Sequence, residues 1–88
     1  MRYFRRFWDE TRGDEFDSWG TSWWFFEIDE DGYVIRVLQH YGGGQILRYS
    51  EEHLSDEYGS LPDRFPDLDD LVDYEISRDE FEADWGST

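Results

Sequence analysis

Arg2-Tyr3-Phe4-Arg5-Arg6-Phe7-Trp8 interleaves aromatic rings with arginine and contains no Gly or Pro, which predicts a strand over 2–8. Residues 9–21 are polar, are broken by Gly13 and Gly20, and read as a loop. Trp23-Trp24-Phe25-Phe26-Glu27-Ile28 is the strongest strand signal in the chain. Asp31-Gly32 then supplies the dipeptide preferred in type I′ hairpin turns, and Tyr33 to Tyr41 returns as the next strand. With Asp31-Gly32 at the centre of the turn, Ile28 faces Ile35 and Phe26 faces Val37 on one side of the sheet. Glu27 then faces Arg36, and Phe25 faces Leu38, on the other side. An apolar pair and an opposite-charge pair arising from one register support each other. Gly42-Gly43-Gly44 turns the chain again into a strand over 45–49, and three glycines leave that register open.

Residues 50–66 lack periodicity, contain Pro62 and Pro66, and read as a long acidic loop. Asp67 is placed to cap a short helical turn, with Leu68, Leu71 and Val72 at the helical spacing, and Tyr74-Glu75-Ile76 reads as a short strand. The clearest helix start follows. Ser77 and Glu80 form an S-x-x-E capping box, Ile76 and Phe81 fit a hydrophobic staple, Phe81 and Trp85 share a face, and Gly86 is placed to end the helix. So short a helix is unstable alone in water and must dock on the sheet. The expected fold is α+β, an antiparallel sheet of about four or five strands with a short C-terminal helix packed on one face. Residues 1–88 form one acidic α+β domain in this reading.

Length and charge sharpen the picture. A chain of 88 residues buries roughly two-thirds of its unfolded surface, enough for a thin core. The absence of cysteine excludes disulfides, Cys-based zinc sites and thiol nucleophiles, and favours a reducing, cytoplasmic setting. No stretch is long and apolar enough to span a bilayer, so no membrane partner is expected. The formal net charge is −15, and every basic side chain is arginine. Acidic chains poor in aromatics stay disordered, but five Trp, six Tyr and seven Phe can drive collapse here. The charge is uneven. Residues 1–50 hold nine acids and six arginines, whereas residues 51–88 hold fourteen acids and two arginines. Segregation of these halves would concentrate a negative field on one face, while the plainer reading is an acidic coat for solubility.

The candidate chemistry is weak beside simpler readings. Asp29-Glu30-Asp31-Gly32 resembles part of a calcium loop, but the place of its final bidentate acid is Leu38 and its flanks read as strands, so a turn is expected. The triple glycine leads into a strand and not into the helix a phosphate cradle requires. His40 and His53, among many carboxylates, are the candidates for zinc binding or acid–base work, and no spacing demands either. The arginines of the first strand are expected to pair with the protein's own acids. Net charge argues against a nucleic-acid partner, because attraction to phosphate dominates that affinity. No catalytic group, cofactor or metal is assigned. Aromatics on both faces of the sheet are either covered by the loops over 9–21 and 50–73 or exposed as a protein-binding patch.

Three segments, MRYFRRFW, WWFFEIDEDGYVIRVLQHYGGG and EISRDEFEADW, resemble small acidic bacterial domains of unknown function, some of which look like immunity proteins of polymorphic toxin systems. The resemblance implies a protein-binding role and no catalytic motif. The expected function is therefore that of an acidic protein-binding module that occludes a basic protein, such as a toxin. The acids expected to meet the partner are Glu51, Glu52, Asp56 and Glu57 in the loop, with Asp67, Asp69, Asp70 and Asp73 beyond it. Two alternatives stand beside this one: a DNA mimic that inhibits a DNA-binding protein, and a small enzyme using His40 or His53.

Overall fold

Four strands follow one another as a meander, and a fifth crosses to the far edge. A computed structural model describes residues 1–13, 15–64 and 68–87. Its strands are β1 (Arg2–Trp8), β2 (Ser22–Ile28), β3 (Val34–Tyr41), β4 (Ile46–Ser50) and β5 (Glu75–Ile76), followed by the helix α1 (Arg78–Ser87). They form one antiparallel sheet in the order β4-β3-β2-β1-β5, so the fold is α+β with a short C-terminal helix.

The pairing arranges side chains in rows across the sheet, because antiparallel partners point to the same face. On one face Phe4, Phe26, Val37 and Tyr49 form the first row, Arg6, Trp24, Gln39 and Leu47 the second, and Trp8, Ser22 and Tyr41 the third. Trp19, Tyr58, Leu61 and Leu71 pack over this face from the flanking loops. On the other face the rows are Tyr3, Glu27, Arg36 and Ser50, then Arg5, Phe25, Leu38 and Arg48, then Phe7, Trp23, His40 and Ile46. Here Phe81 and Trp85 of α1 pack with Tyr3, Phe25 and Leu38. The sheet is thus cored on both faces, which is why β2 and β3 read as near-continuous apolar runs and not as alternation.

The β2–β3 register runs as expected from Phe25↔Leu38 through Glu27↔Arg36 and then shifts by one, so that Ile28 faces Val34 and not Ile35. The turn is the cause. A type I′ turn needs positive φ at both Asp31 and Gly32, yet no residue other than glycine has positive φ among the described residues. Asp29 N–H donates to the Tyr33 carbonyl, Gly32 N–H donates to the Asp29 carbonyl, and Gly32 sits at φ 90°. The loop is therefore the three residues Glu30, Asp31 and Gly32, and Ile35 is absorbed as a bulge. The bulge brings Val34 onto the core face beside Ile28, and both are buried. The Asp29 carboxylate accepts the N–H groups of Asp31 and Tyr33, each at 2.9 Å, so this acid shapes the turn. The β3–β4 connection repeats the device. Tyr41 N–H donates to the Gln45 carbonyl, Gly44 N–H donates to the Tyr41 carbonyl, and Gly44 lies at φ 96°.

Ser77 caps α1 as expected, accepting the Glu80 N–H at 3.1 Å while its hydroxyl meets the Glu80 carboxylate at 3.3 Å. Gly86 does not end the helix, which runs on to Ser87, because Gly86 does not take the positive φ of a left-handed cap. Residues Leu68–Tyr74 form a 3-10 helix. Leu71 is buried, but Val72 is 50% exposed, since three residues per turn carry an i+4 position away from the core. Asp67, expected to cap this segment, lies outside the described residues.

The acidic loop after β4 is more ordered than its composition suggests. Leu61 N–H donates to the Leu54 carbonyl and Asp56 N–H to the Gly59 carbonyl, which makes a small hairpin. Its tip, Asp56-Glu57-Tyr58-Gly59, has the acid and the glycine at the ends that a β-turn favours.

Candidate functional site

The acids expected to form one face are divided between two places. Glu51, Glu52, Asp56 and Glu57 lie in the loop that leaves β4, at one edge of the sheet. Asp69, Asp70 and Asp73 lie on the 3-10 helix that packs on β1 and leads into β5, at the opposite edge. Glu51, Glu52, Glu57, Asp69 and Asp73 are exposed. Glu51 and Glu52 border an open depression of about 380 Å³ with Arg36 and Trp85.

Asp56 differs from its neighbours. Its carboxylate accepts the Tyr49 hydroxyl at 2.8 Å and the N–H groups of Tyr58 and Gly59 at 2.8 and 3.2 Å, and it meets His53 Nε2 at 3.2 Å. Partial burial works to raise its pKa, and these bonds outweigh it and hold the carboxyl at about 2. Burial and the same carboxylate push the Tyr49 hydroxyl well above its ordinary value, so it remains a donor. The His53 ring stacks on Tyr49 at 5.7 Å. Asp56 and His53 thus fasten the loop onto the core.

The arginines are held by rings. Seven of the eight place their guanidinium within about 6 Å of an aromatic centroid of the same chain: Arg2, Arg5, Arg6, Arg12, Arg36, Arg48 and Arg64. Arg36 also bonds Glu27 through Nε at 2.8 Å and Nη2 at 3.1 Å, and pairs with Glu82 of the helix. Burial works to raise the Glu27 pKa, but the bonds from Arg36 and the Tyr3 hydroxyl outweigh it and hold the carboxyl below its usual range. Arg2 pairs with Glu75 across β1 and β5 at 3.0 Å. Aromatic faces do much of the work expected of acids, and exposed carboxylates dominate the remaining surface.

Two further features lie over the sheet. Beyond the end of α1, Phe7 (44% exposed) and Trp23 (43%) pair with ring centroids 5.0 Å apart, beside the exposed His40. Across the opposite face, a cleft of about 430 Å³ runs over the second and third rows, walled by Trp8, Trp24 and Tyr58 above Ser22, Gln39 and Tyr41. The cleft is assembled from four separate segments, so no contiguous motif marks it. Its one local signal is polar Ser22 and Gln39 at inward-facing strand positions.

No family model, curated protein or solved structure matches this chain. Among the described residues no three His, Asp or Glu side chains are grouped to hold a metal ion, and no helix is long and apolar enough to cross a membrane.

Proposed function

We propose that this domain is an acidic protein-binding module, not an enzyme, which covers a basic protein partner in the manner of a toxin-neutralising immunity protein. The observation that carries this reading is the stacking of seven of eight arginines on the chain's own rings. Arg2 and Arg36 also engage Glu75 and the pair Glu27 and Glu82, but rings share in holding these cations, and with 23 acids against eight arginines the excess of acid faces outward. Exposed carboxylates act at long range and speed encounter with a cationic surface. Exposed rings such as Trp23 and Phe7 supply the apolar contacts that slow dissociation.

The two acidic groups lie at opposite edges of the sheet. The loop group is the stronger candidate, since Glu51, Glu52 and Glu57 are exposed on the loop that Asp56 helps to fasten. The group over 67–73 is the alternative contact.

Affinity capture from the native host, repeated at high salt, identifies the partner, and kinetics across a salt series test the mechanism. Glu51→Lys, Glu52→Lys and Glu57→Lys together should cut the association rate and its salt dependence while leaving the fold intact. Reversal of Asp69 and Asp73 should do less. An association rate indifferent to salt and to both sets would mean that the acidity serves solubility alone.

A further inference from the structure

The geometry points to a second, independent activity: the cleft over the loop-covered face is a binding site for a neutral saccharide. The first row of that face, Phe4, Phe26, Val37 and Tyr49, is buried and apolar apart from one hydroxyl, as a core face requires. The next two rows break the rule. Gln39 is 5% exposed and Ser22 is 2% exposed, polar side chains at inward-facing positions whose first-row counterparts are apolar. Local departures from the core pattern are where binding sites are found.

Their hydrogen-bonding capacity is only half used. Gln39 Oε1 accepts the Tyr41 hydroxyl at 2.9 Å, and Ser22 Oγ accepts Trp24 Nε1 at 2.8 Å. The Gln39 amide nitrogen and the Ser22 hydroxyl proton donate to no described residue. Gln39 lines the cleft, so its amide nitrogen is placed to donate to an acceptor lying on this floor. Water accepts from this donor in the free protein, and a ligand hydroxyl can replace it.

The walls define the ligand's shape. Trp8 and Trp24 lie 6.1 Å apart between centroids at 40°, which is too close for a third ring to enter between them, since two stacked contacts need about 3.5–4 Å each. A ligand must lie across the ring faces, as the C–H face of a pyranose can, with its hydroxyls turned to the floor.

Charge removes the competing classes. A chain of net charge −15 repels phosphates and carboxylates. A cation has only the exposed Glu10 among the described lining acids, and it meets Arg12 in the same cleft. Size agrees, for about 430 Å³ is within the range of small-ligand sites. An adjoining apolar hollow of about 150 Å³, sharing Trp8 and Trp24 and reaching Leu71, extends the site toward a second ring or an apolar aglycone.

The test is a two-dimensional NMR titration of the full chain with cellobiose, maltose and N,N′-diacetylchitobiose. At least one should give saturable shifts of the Trp24 and Trp8 indole N–H signals in the millimolar range. Gln39→Leu should weaken that binding about tenfold or more, by loss of the floor donor. Trp8 is 41% exposed, so Trp8→Ala should abolish binding while the strand amide signals stay in place. Three results would overturn the proposal: no saturable shift with any of the sugars, tighter binding of glucose 6-phosphate than of the neutral sugars, or cleft variants that weaken protein-partner capture and leave sugar binding unchanged.

Discussion

Arg36 of β3 faces Glu27 of β2 and grips both of its carboxylate oxygens, while its guanidinium carbon lies 4.9 and 5.0 Å from the ring centres of Phe81 and Trp85 of α1. One side chain therefore joins two strands to the helix. Its planar fork matches the carboxylate, and its flat faces match the rings, a combination that lysine does not supply. Glu27 is largely buried, and its loss leaves Arg36 with Glu82 alone. Glu27→Gln should cost about 2–3 kcal/mol, and Arg36→Lys a comparable amount, in urea unfolding. A double-mutant cycle should return a coupling of about 1–3 kcal/mol, and additive effects would show that the pair does not act as a unit.

The helix face rests on Phe81. Its ring is fully buried, 5.3 Å from Tyr3 and 5.9 Å from Trp85, so Phe81→Ala should cost about 3–5 kcal/mol. Trp85 is half-buried, and Trp85→Ala should cost less, about 2 kcal/mol. Ser77→Ala should cost about 1 kcal/mol through the lost cap. Chemical denaturation ranks the three, and a harmless Phe81→Ala would mean that the helix is not docked.

The loop after β4 should respond to acid through Asp56. Its folded pKa of about 2 lies below the ordinary 3.8, so its contribution to order is complete above about 4 and disappears as the pH falls through 2. The Gly59 amide signal should titrate with a midpoint near 2, and Asp56→Asn should remove that step while leaving the strand signals unchanged. A midpoint near 4 would mean that the carboxylate is not engaged by its neighbours.

Gly44 and Gly32 hold left-handed backbone at equivalent places in the two hairpins. A Cβ at Gly44 meets nothing within 4 Å, so any penalty there is conformational and not steric. Gly44→Ala should destabilise by about 1 kcal/mol, and Gly44→Asn by less, because asparagine tolerates this conformation better. Equal unfolding midpoints for the three proteins would show that the turn relaxes without cost.

The sequence was most informative where interactions are local. The Ser77 cap, β1 over 2–8, and the Glu27–Arg36 and Phe25–Leu38 pairs all follow from short-range pattern. The Ile35 bulge was hidden because Asp31-Gly32 suits both a two-residue turn and a three-residue loop, and only the backbone conformation of Asp31 separates them. Asp56 reads from sequence as a partner-facing acid of the loop, since its own partners Tyr49, Tyr58 and Gly59 are recognisable only after the loop has folded back. The cleft was hidden for a similar reason: Trp8, Ser22, Gln39 and Tyr58 become neighbours through pairing and loop return. The division of the acids between two edges depends on the crossing of β5, which no local pattern records.

That crossing also imposes an order of assembly. The three-residue loops join β2, β3 and β4 at little entropic cost, whereas β5 meets β1 only when Ile76 finds Tyr3 across almost the whole chain. The central hairpins should therefore form early, with β5 and α1 latching onto β1 last and releasing first. Amide exchange in native conditions should be slowest along β2 and β3 and faster along β5 and α1. In such a molecule the helix acts as a clasp, and the face beneath it is the one exposed during partial opening.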